Sequence, residues 1–266
     1  MKQLARRFLE TVAPRKFATL QAIRARRRIA RLQRQWGRVA LAKRFIEAHG
    51  EIVCGGPFAR MKLPYEECFA GYLAMMVGSL ERELEPAIMA AINRNYSRIL
   101  NIGCAEGYYA VGFAIKSKAA SVHAYDIDPW ARRYCTRLAA LNGAADRVQV
   151  RGWCDHAAIT AVARESTLIL CACEGYEFEL LDPVKCPLLN QCDLIVEMHD
   201  FARSGGVTAP ILARFRDTHN CTIVEIQPRD AFMYPALEAL PESARQEAVA
   251  EVRNPNSRWA VILHRP

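Results

Sequence analysis

The sequence predicts an α/β protein built on a doubly wound, mostly parallel seven-stranded sheet, with an N-terminal helical extension. Strand-like apolar runs recur at 98–103, 121–126, 147–152, 167–173, 193–198, 221–226 and 258–264, and helical stretches separate the first five. Strands alternating with helices build a parallel sheet with helices on both faces. The bend after the first run carries Gly103 and Gly107, as a strand-to-helix turn that lets a ligand approach the backbone requires. A chain of 266 residues is long enough to bury such a core.

From Leu4 to Ile46 the chain reads as one or two basic helices broken at Pro14. Leu20, Ile23, Leu32, Trp36, Val39 and Phe45 form a partial apolar stripe among arginines. Residues 1–44 hold fourteen Lys or Arg against a single acid, Glu10; with a chain total of +8, the remainder carries −5. A basic arm over 1–50 is therefore expected on a mildly acidic body, suited to an anionic membrane surface. Its aromatics do not interleave with its basic residues, so nucleic acid is not favoured. One face of the arm is expected to pack on the body, and its removal to leave cofactor affinity alone.

A turn-rich stretch, "CGGPFARMKLP" at 54–64, opens a helical lid or cap over 51–96. Helices are expected at about 66–80 and at 82–93, the second starting near Glu81 with Pro86 early in it. The α/β domain follows over 97–266. Its last two strands flank a non-repeating insert, 228–256, which points to a terminal antiparallel hairpin. His219 reads as structural, and Arg253 as a candidate anion contact.

Ten cysteines show no C-x-x-C spacing, and Cys171 and Cys173 fall on one face of a strand. Buried thiols in a reducing compartment explain them better than a disulfide or zinc framework. No run of eighteen apolar residues exists, and the start of the chain is too polar for a secretory signal. A cytoplasmic protein, peripheral to a membrane at most, is expected.

The chemistry-bearing stretch is "ILNIGCAEGYYAVGFA" at 99–114, with Asp126 closing the second strand. A carboxylate there can accept hydrogen bonds from both hydroxyls of a ribose, so the pair points to a nucleotide-like cofactor. The nicotinamide fingerprint needs glycine at 103, 105 and 108; Ala105 and Tyr108 break it.

That stretch, followed by "VHAYDIDPWARRYCTRLAALNG", resembles the opening of class I S-adenosylmethionine-dependent methyltransferases. "LILCACEGYEFELL" and "DLIVEMHDF" are similar to the FkbM-like branch, which often shows D-x-E-G-x-E and then E-x-H. The resemblance covers 97–200, and 201–266 more loosely through "RWAVIL". It implies a Rossmann-like methyltransferase domain and S-adenosyl-L-methionine as cofactor. Gly103 and Gly107 would border the cofactor's amino-acid end, with Glu106 and Tyr108 beside it. Asp126 would hold the ribose, and Ile127, Cys154 and Asp155 would flank the adenine. Three positions depart from the family pattern. Asn101 replaces an acid but keeps an acceptor, Ala105 replaces the middle glycine, and Ala172 stands where the fourth strand usually carries Asp.

Methyl transfer needs an aligned acceptor and, for a hydroxyl, a place for its proton. "CEGYE" offers Glu174 and Glu177; "EMHD" offers Glu197, His199 and Asp200. Strand alternation puts Glu197 and His199 on one side. His199 is the expected general base, oriented by Glu174 or Glu197. A divalent metal held by Glu174, His199 and Asp200 is the less favoured arrangement. A hydroxyl of a small molecule or glycan is the expected acceptor, the glycan by family analogy alone. The alternative is a catalytically silent fold serving as a tethered scaffold.

Overall fold

The computed structural model describes residues 14–35, 37–66, 69, 71–117, 121–164, 166–251 and 257–265. Glu10 and the rest of 1–13, Trp36 and Arg253 lie outside them. Helix α1 runs Pro14–Gln35 and α2 Arg38–His49. Pro14 thus opens a helix, the position where its missing N–H costs nothing. A short antiparallel bridge, Ile52 with Lys62, precedes α3 (Tyr72–Val77). The helix expected at 66–80 is therefore only six residues long here, bounded by Gly71 and Gly78. A 3₁₀ turn at Arg82–Leu84 leads into α4 (Glu85–Asn93), with Pro86 in its first turn.

The alternating region follows the sequence pattern closely. Strand β1 (Arg98–Ile102) leads to α5 (Tyr108–Lys116), β2 (Ser121–Tyr125) to α6 (Pro129–Leu141), and β3 (Val148–Arg151) to α7 (His156–Val162). Then come β4 (Thr167–Cys171), α8 (Glu177–Leu180), β5 (Asp193–Met198), α9 (Thr208–Phe215), β6 (His219–Val224), α10 (Glu242–Val249) and β7 (Arg258–His264). The sheet order is β3-β2-β1-β4-β5-β7-β6. Strands β1 to β5 pair in parallel, and β7 runs antiparallel to both β5 and β6. The expected hairpin is β6–β7, closed across the insert. This is a doubly wound, Rossmann-like sheet whose order reverses between β1 and β4, where ligands enter such folds.

Two apolar layers sandwich the sheet. One joins Ile99, Val122 and Leu168 to α5, α6, α2 and the 51–96 segment through Phe45, Phe58, Phe113 and Tyr134. The other joins Leu100, Ile102, Tyr125 and Val196 to Ile159, Leu180, Ile211 and Phe215 of α7, α8 and α9. Alternation along β1 is the cause: residues 99 and 101 face one layer, 100 and 102 the other. The cysteines among the described residues are free thiols and mostly buried, with Cys54 and Cys221 exposed.

The register fixes what lines the carboxyl edge. Ile102 pairs with Tyr125 and with Cys171, Tyr125 pairs with Arg151, and Cys171 with Val196. One residue further along each strand, Gly152, Asp126, Gly103, Ala172 and Glu197 form a single row. At the usual strand spacing, Asp126 and Glu197 stand roughly 14 Å apart along it.

Helix α1 lies across the β2 and β3 end of that edge. Its inward side carries Thr19, Arg26 and Gln33, one heptad apart, which reach the Ile127 carbonyl at 3.2 Å, Asp128 at 2.9 Å and the Phe69 carbonyl at 3.0 Å. Arg15 adds an ion pair to Asp155 at 3.1 Å. Asp128 also caps α6, accepting from Trp130 N at 2.9 Å. Asp128→Ala is expected to lower stability by about 1–2 kcal/mol, through the lost cap and the lost Arg26 contact. Urea unfolding at neutral pH measures it.

Candidate active site

The glycine corner and Asp126 meet. Ala105 N donates to Asp126 Oδ2 at 2.8 Å, and Asp128 N to Oδ1 at 2.7 Å. Two backbone donors thus fix the carboxylate, and each oxygen keeps a lone pair for a ligand. Burial pushes the Asp126 carboxyl above its usual range, against the pull of these two amides. The corner itself is built tightly. Gly103 has φ +77°, and a Cβ on it would stand 1.8 Å from the Ala172 carbonyl oxygen, so the ends of β1 and β4 touch there. Ala105 takes φ +46° without being glycine, a strained conformation of the kind that collects at ligand clamps.

Below the corner, Asn101 is buried and its Oδ1 takes no hydrogen bond among the described residues. An orphaned acceptor at the end of β1 suits a cationic donor, which is the role the resemblance implies for this position. Glu106 sits in the corner, its carboxyl pushed up to about 7 by burial and by the Asp126 charge, against a backbone hydrogen bond. Tyr108 starts α5 and is buried, its ring edge-on to Phe58 at 5.1 Å. Cys154 is buried at the end of β3, and Asp155 caps α7 by accepting from Ala158 N at 2.9 Å.

Ile127 and Asp155, expected beside the adenine, are two of the residues α1 touches. The basic helix packs one face on the body, and that face walls this half of the site. The tethers are three polar contacts more than a hundred residues apart in sequence, and no local pattern announces them.

The second half lies over the ends of β4 and β5. His199 follows β5 directly, is 3% exposed, and sits among three carboxylates. Nδ1 hydrogen-bonds the fully buried Glu177; Nε2 lies 3.5 Å from Glu197 and 4.0 Å from Glu174. Burial pulls the imidazole pKa down, but the hydrogen bonds and charges of Glu177 and Glu197 outweigh it, and His199 is pushed up to about 10. The histidine that spacing offers as a free base is thus an imidazolium at neutral pH. Glu177 is the nearest of the three carboxylates to its ring, and Glu197 faces the opposite nitrogen.

Glu174 is exposed at the rim and takes φ +56°, with Gly175 at φ +104°. A Cβ on Gly175 would meet Ala202 Cβ at 2.4 Å, so glycine is needed for the turn after β5 to pack on this one. Phe201, half exposed, stands edge-on to the His199 ring at 5.5 Å. Sequence reading passed over Phe201, Arg15, Thr19 and Arg26. The thrice-repeated heptad position in α1 is the one signal that could have marked the last two.

Asp200, the third member of the expected metal set, does other work. Its oxygens accept from Val207 N, Thr208 N and Thr208 Oγ1 at 2.7–2.8 Å and so hold the start of α9. Among the described residues no group of three or more His, Cys, Asp or Glu is arranged to hold a metal ion. The residues do not fit a divalent cation, and no step is assigned to one. His219 is structural: fully buried, it bonds the Cys192 carbonyl at 2.9 Å and Thr218 at 2.7 Å. Among the described residues no helix is long and apolar enough to cross a membrane.

No family model matches the chain, and a search of curated proteins returns no relative. Solved structures similar to it include an rRNA methylase from Streptococcus thermophilus, 9% identical with TM-score 0.47, covering 69% of this chain and 96% of that one. The MTase domain of METTL16 is 13% identical with TM-score 0.46, covering 71% and 68%. A SAM-dependent methyltransferase from Geobacter sulfurreducens in complex with S-adenosyl-L-homocysteine is 15% identical with TM-score 0.42, covering 69% and 91%.

Proposed function

We propose that the chain is an S-adenosylmethionine-dependent methyltransferase acting on a hydroxyl of a small molecule or glycan. The observation that supports this best is the meeting of Ala105 N and Asp126 in one row with Glu197. A ribose-binding carboxylate and an acid–imidazole cluster then share one edge of the sheet.

When bound, the cofactor supplies an electrophilic methyl on a sulfonium. Asp126 holds its ribose, the Gly103–Gly107 corner receives its amino-acid end, and Asn101 Oδ1 accepts from its ammonium. Ile127, Cys154 and Asp155 border the adenine, with α1 outside them. At the other end of the row, the exposed carboxylate of Glu174 takes the acceptor's hydroxyl proton. The imidazolium of His199, pinned through Nδ1 by Glu177, stands between Glu174 and Glu197, and its charge opposes the burial that raises the Glu174 carboxyl.

Calorimetric titration with S-adenosylmethionine tests the reading. A saturable heat is expected, and Asp126→Ala should weaken it ten- to a hundredfold, the worth of hydrogen bonds to a charged acceptor. A flat titration of the wild-type protein would leave only the silent scaffold.

A further inference from the structure

A groove of about 420 Å³ opens at the β3 edge of the sheet, beyond the cofactor corner. Arg132 and Arg133 of α6 and Arg151 of β3 line it with Thr136 and Val150, and no carboxylate does. Arg132 donates to the Asp126 carbonyl at 2.8 Å and Arg151 to Gln149 at 3.0 Å. Each guanidinium has five N–H groups, so donors remain on both. The groove residues run up to the neighbours of Trp130 and Trp153, which carry the Arg26 and Arg15 guanidinium groups over their rings at 5.3 Å and 5.6 Å. Helix α1 therefore borders the groove.

The outer side of α1 continues the charge. Arg24, Arg27, Arg28 and Arg31 are exposed and spaced i, i+3, i+4 and i+7. They form one stripe about 10 Å long. Among the described residues none of the four has a carboxylate partner. A stripe and a groove lined by arginine rather than lysine match phosphate, which the planar fork grips through two parallel bonds.

We propose that α1 and the β3-edge groove form a docking surface for a single-stranded polynucleotide, held through its phosphates. A phosphodiester chain is linear and flexible enough to follow a helix stripe and enter a concave groove. A bilayer surface fits less well. Among the described side chains of α1, Ile23, Ile29 and Leu32 are half-buried, and Leu20, 46% exposed, is the large apolar one that stands out from the protein. Interfacial helices need an outward apolar face. The separation of aromatic from basic residues along the sequence, which disfavoured nucleic acid, does not hold in space, where Trp130 and Trp153 lie beneath arginines of α1.

The test is fluorescence anisotropy of the full-length protein with a labelled single-stranded RNA oligonucleotide over a salt series. Wild type is expected to bind with a steep salt dependence, each phosphate contact contributing about −0.7 to the log–log slope. Arg133→Glu/Arg151→Glu should flatten the slope by about 1.4, and Arg24→Gln/Arg27→Gln/Arg28→Gln/Arg31→Gln by about 2.8. Arg151 meets the corner through its backbone carbonyl, which accepts from Asp126 N at 3.1 Å and is kept in the variants, so melting temperature and S-adenosylmethionine titration should stay at wild-type values. Should the glutamate pair fail to fold, Arg133→Gln/Arg151→Gln carries the same comparison. Variants that bind RNA like wild type overturn the proposal, as does a wild type that ignores RNA at low salt. Complete displacement of RNA by phosphatidylserine vesicles reassigns the surface to lipid and overturns it too. Equal displacement by inorganic phosphate at the same phosphate concentration reduces the surface to a simple anion site and likewise overturns it.

Discussion

Replacing Gly103 with alanine is expected to cost roughly 2–5 kcal/mol of stability, the sum of left-handed strain and overlap with fixed backbone. It should also remove cofactor binding. The added carbon would stand 1.8 Å from the Ala172 carbonyl oxygen, and that oxygen belongs to the chain just past β4, which cannot move without β4 itself. Relief would have to come from opening the β1–β4 junction, which carries the amide that fixes Asp126. Ala105 gives the contrast within the same corner. It already adopts φ +46°, so Ala105→Gly should gain a few tenths to about 1 kcal/mol and keep cofactor affinity. Thermal melting with cofactor titration separates the two. A Gly103→Ala protein as stable and as tightly binding as wild type would mean that β1 and β4 are not locked at their ends.

Removing the Glu177 charge should move the alkaline limb of the rate profile. In the wild type, turnover is expected to fall near pH 10, where the His199 imidazolium loses its proton. Glu177→Gln removes the charge bonded to Nδ1, so the imidazole should titrate closer to its ordinary value near 6.5 and the limb should shift toward neutrality. His199→Asn should lower kcat by about 10²–10⁴ while S-adenosylmethionine affinity holds. The stability effect has a definite sign. His199 has a higher pKa folded than unfolded, so its contribution is complete below about pH 6.5 and disappears as pH rises toward 10. Wild-type melting temperature should therefore drop across that window, and that of His199→Asn should drop less. An alkaline limb unmoved in Glu177→Gln would show that the buried pair has no part in turnover.

Much of the fold was legible because its causes are local. Apolar β-branched runs such as "RILNI" and "TLILC" define strands wherever they fall, and six of the seven observed strands start within a residue of 98, 121, 147, 167, 193 and 258. The corner was legible for the same reason: glycines at 103 and 107 and an acid closing the next strand are short-range signals. The helix expected over 66–80 was not, because its apolar residues pack from all sides and carry no period. Tyr72 to Val77 are all buried. Protonation at His199 was hidden too. It depends on Glu177, which comes from a different strand end and lies 22 positions away. The site residues that α1 contributes depend on still longer separations, and an arginine-rich stretch gives no hint that one of its faces is already occupied.

The Arg15–Asp155 contact spans 140 positions. During translation the basic helix is made before the sheet it packs on, and its seat on β2 and β3 is not complete until the chain has grown past Asp155. At synthesis rates of 5–20 residues per second, that is on the order of ten seconds with a polycationic segment unsheltered. A segment made ahead of the sheet is thus locked down only after it, and its docking marks the moment when the nascent sheet has acquired its edge.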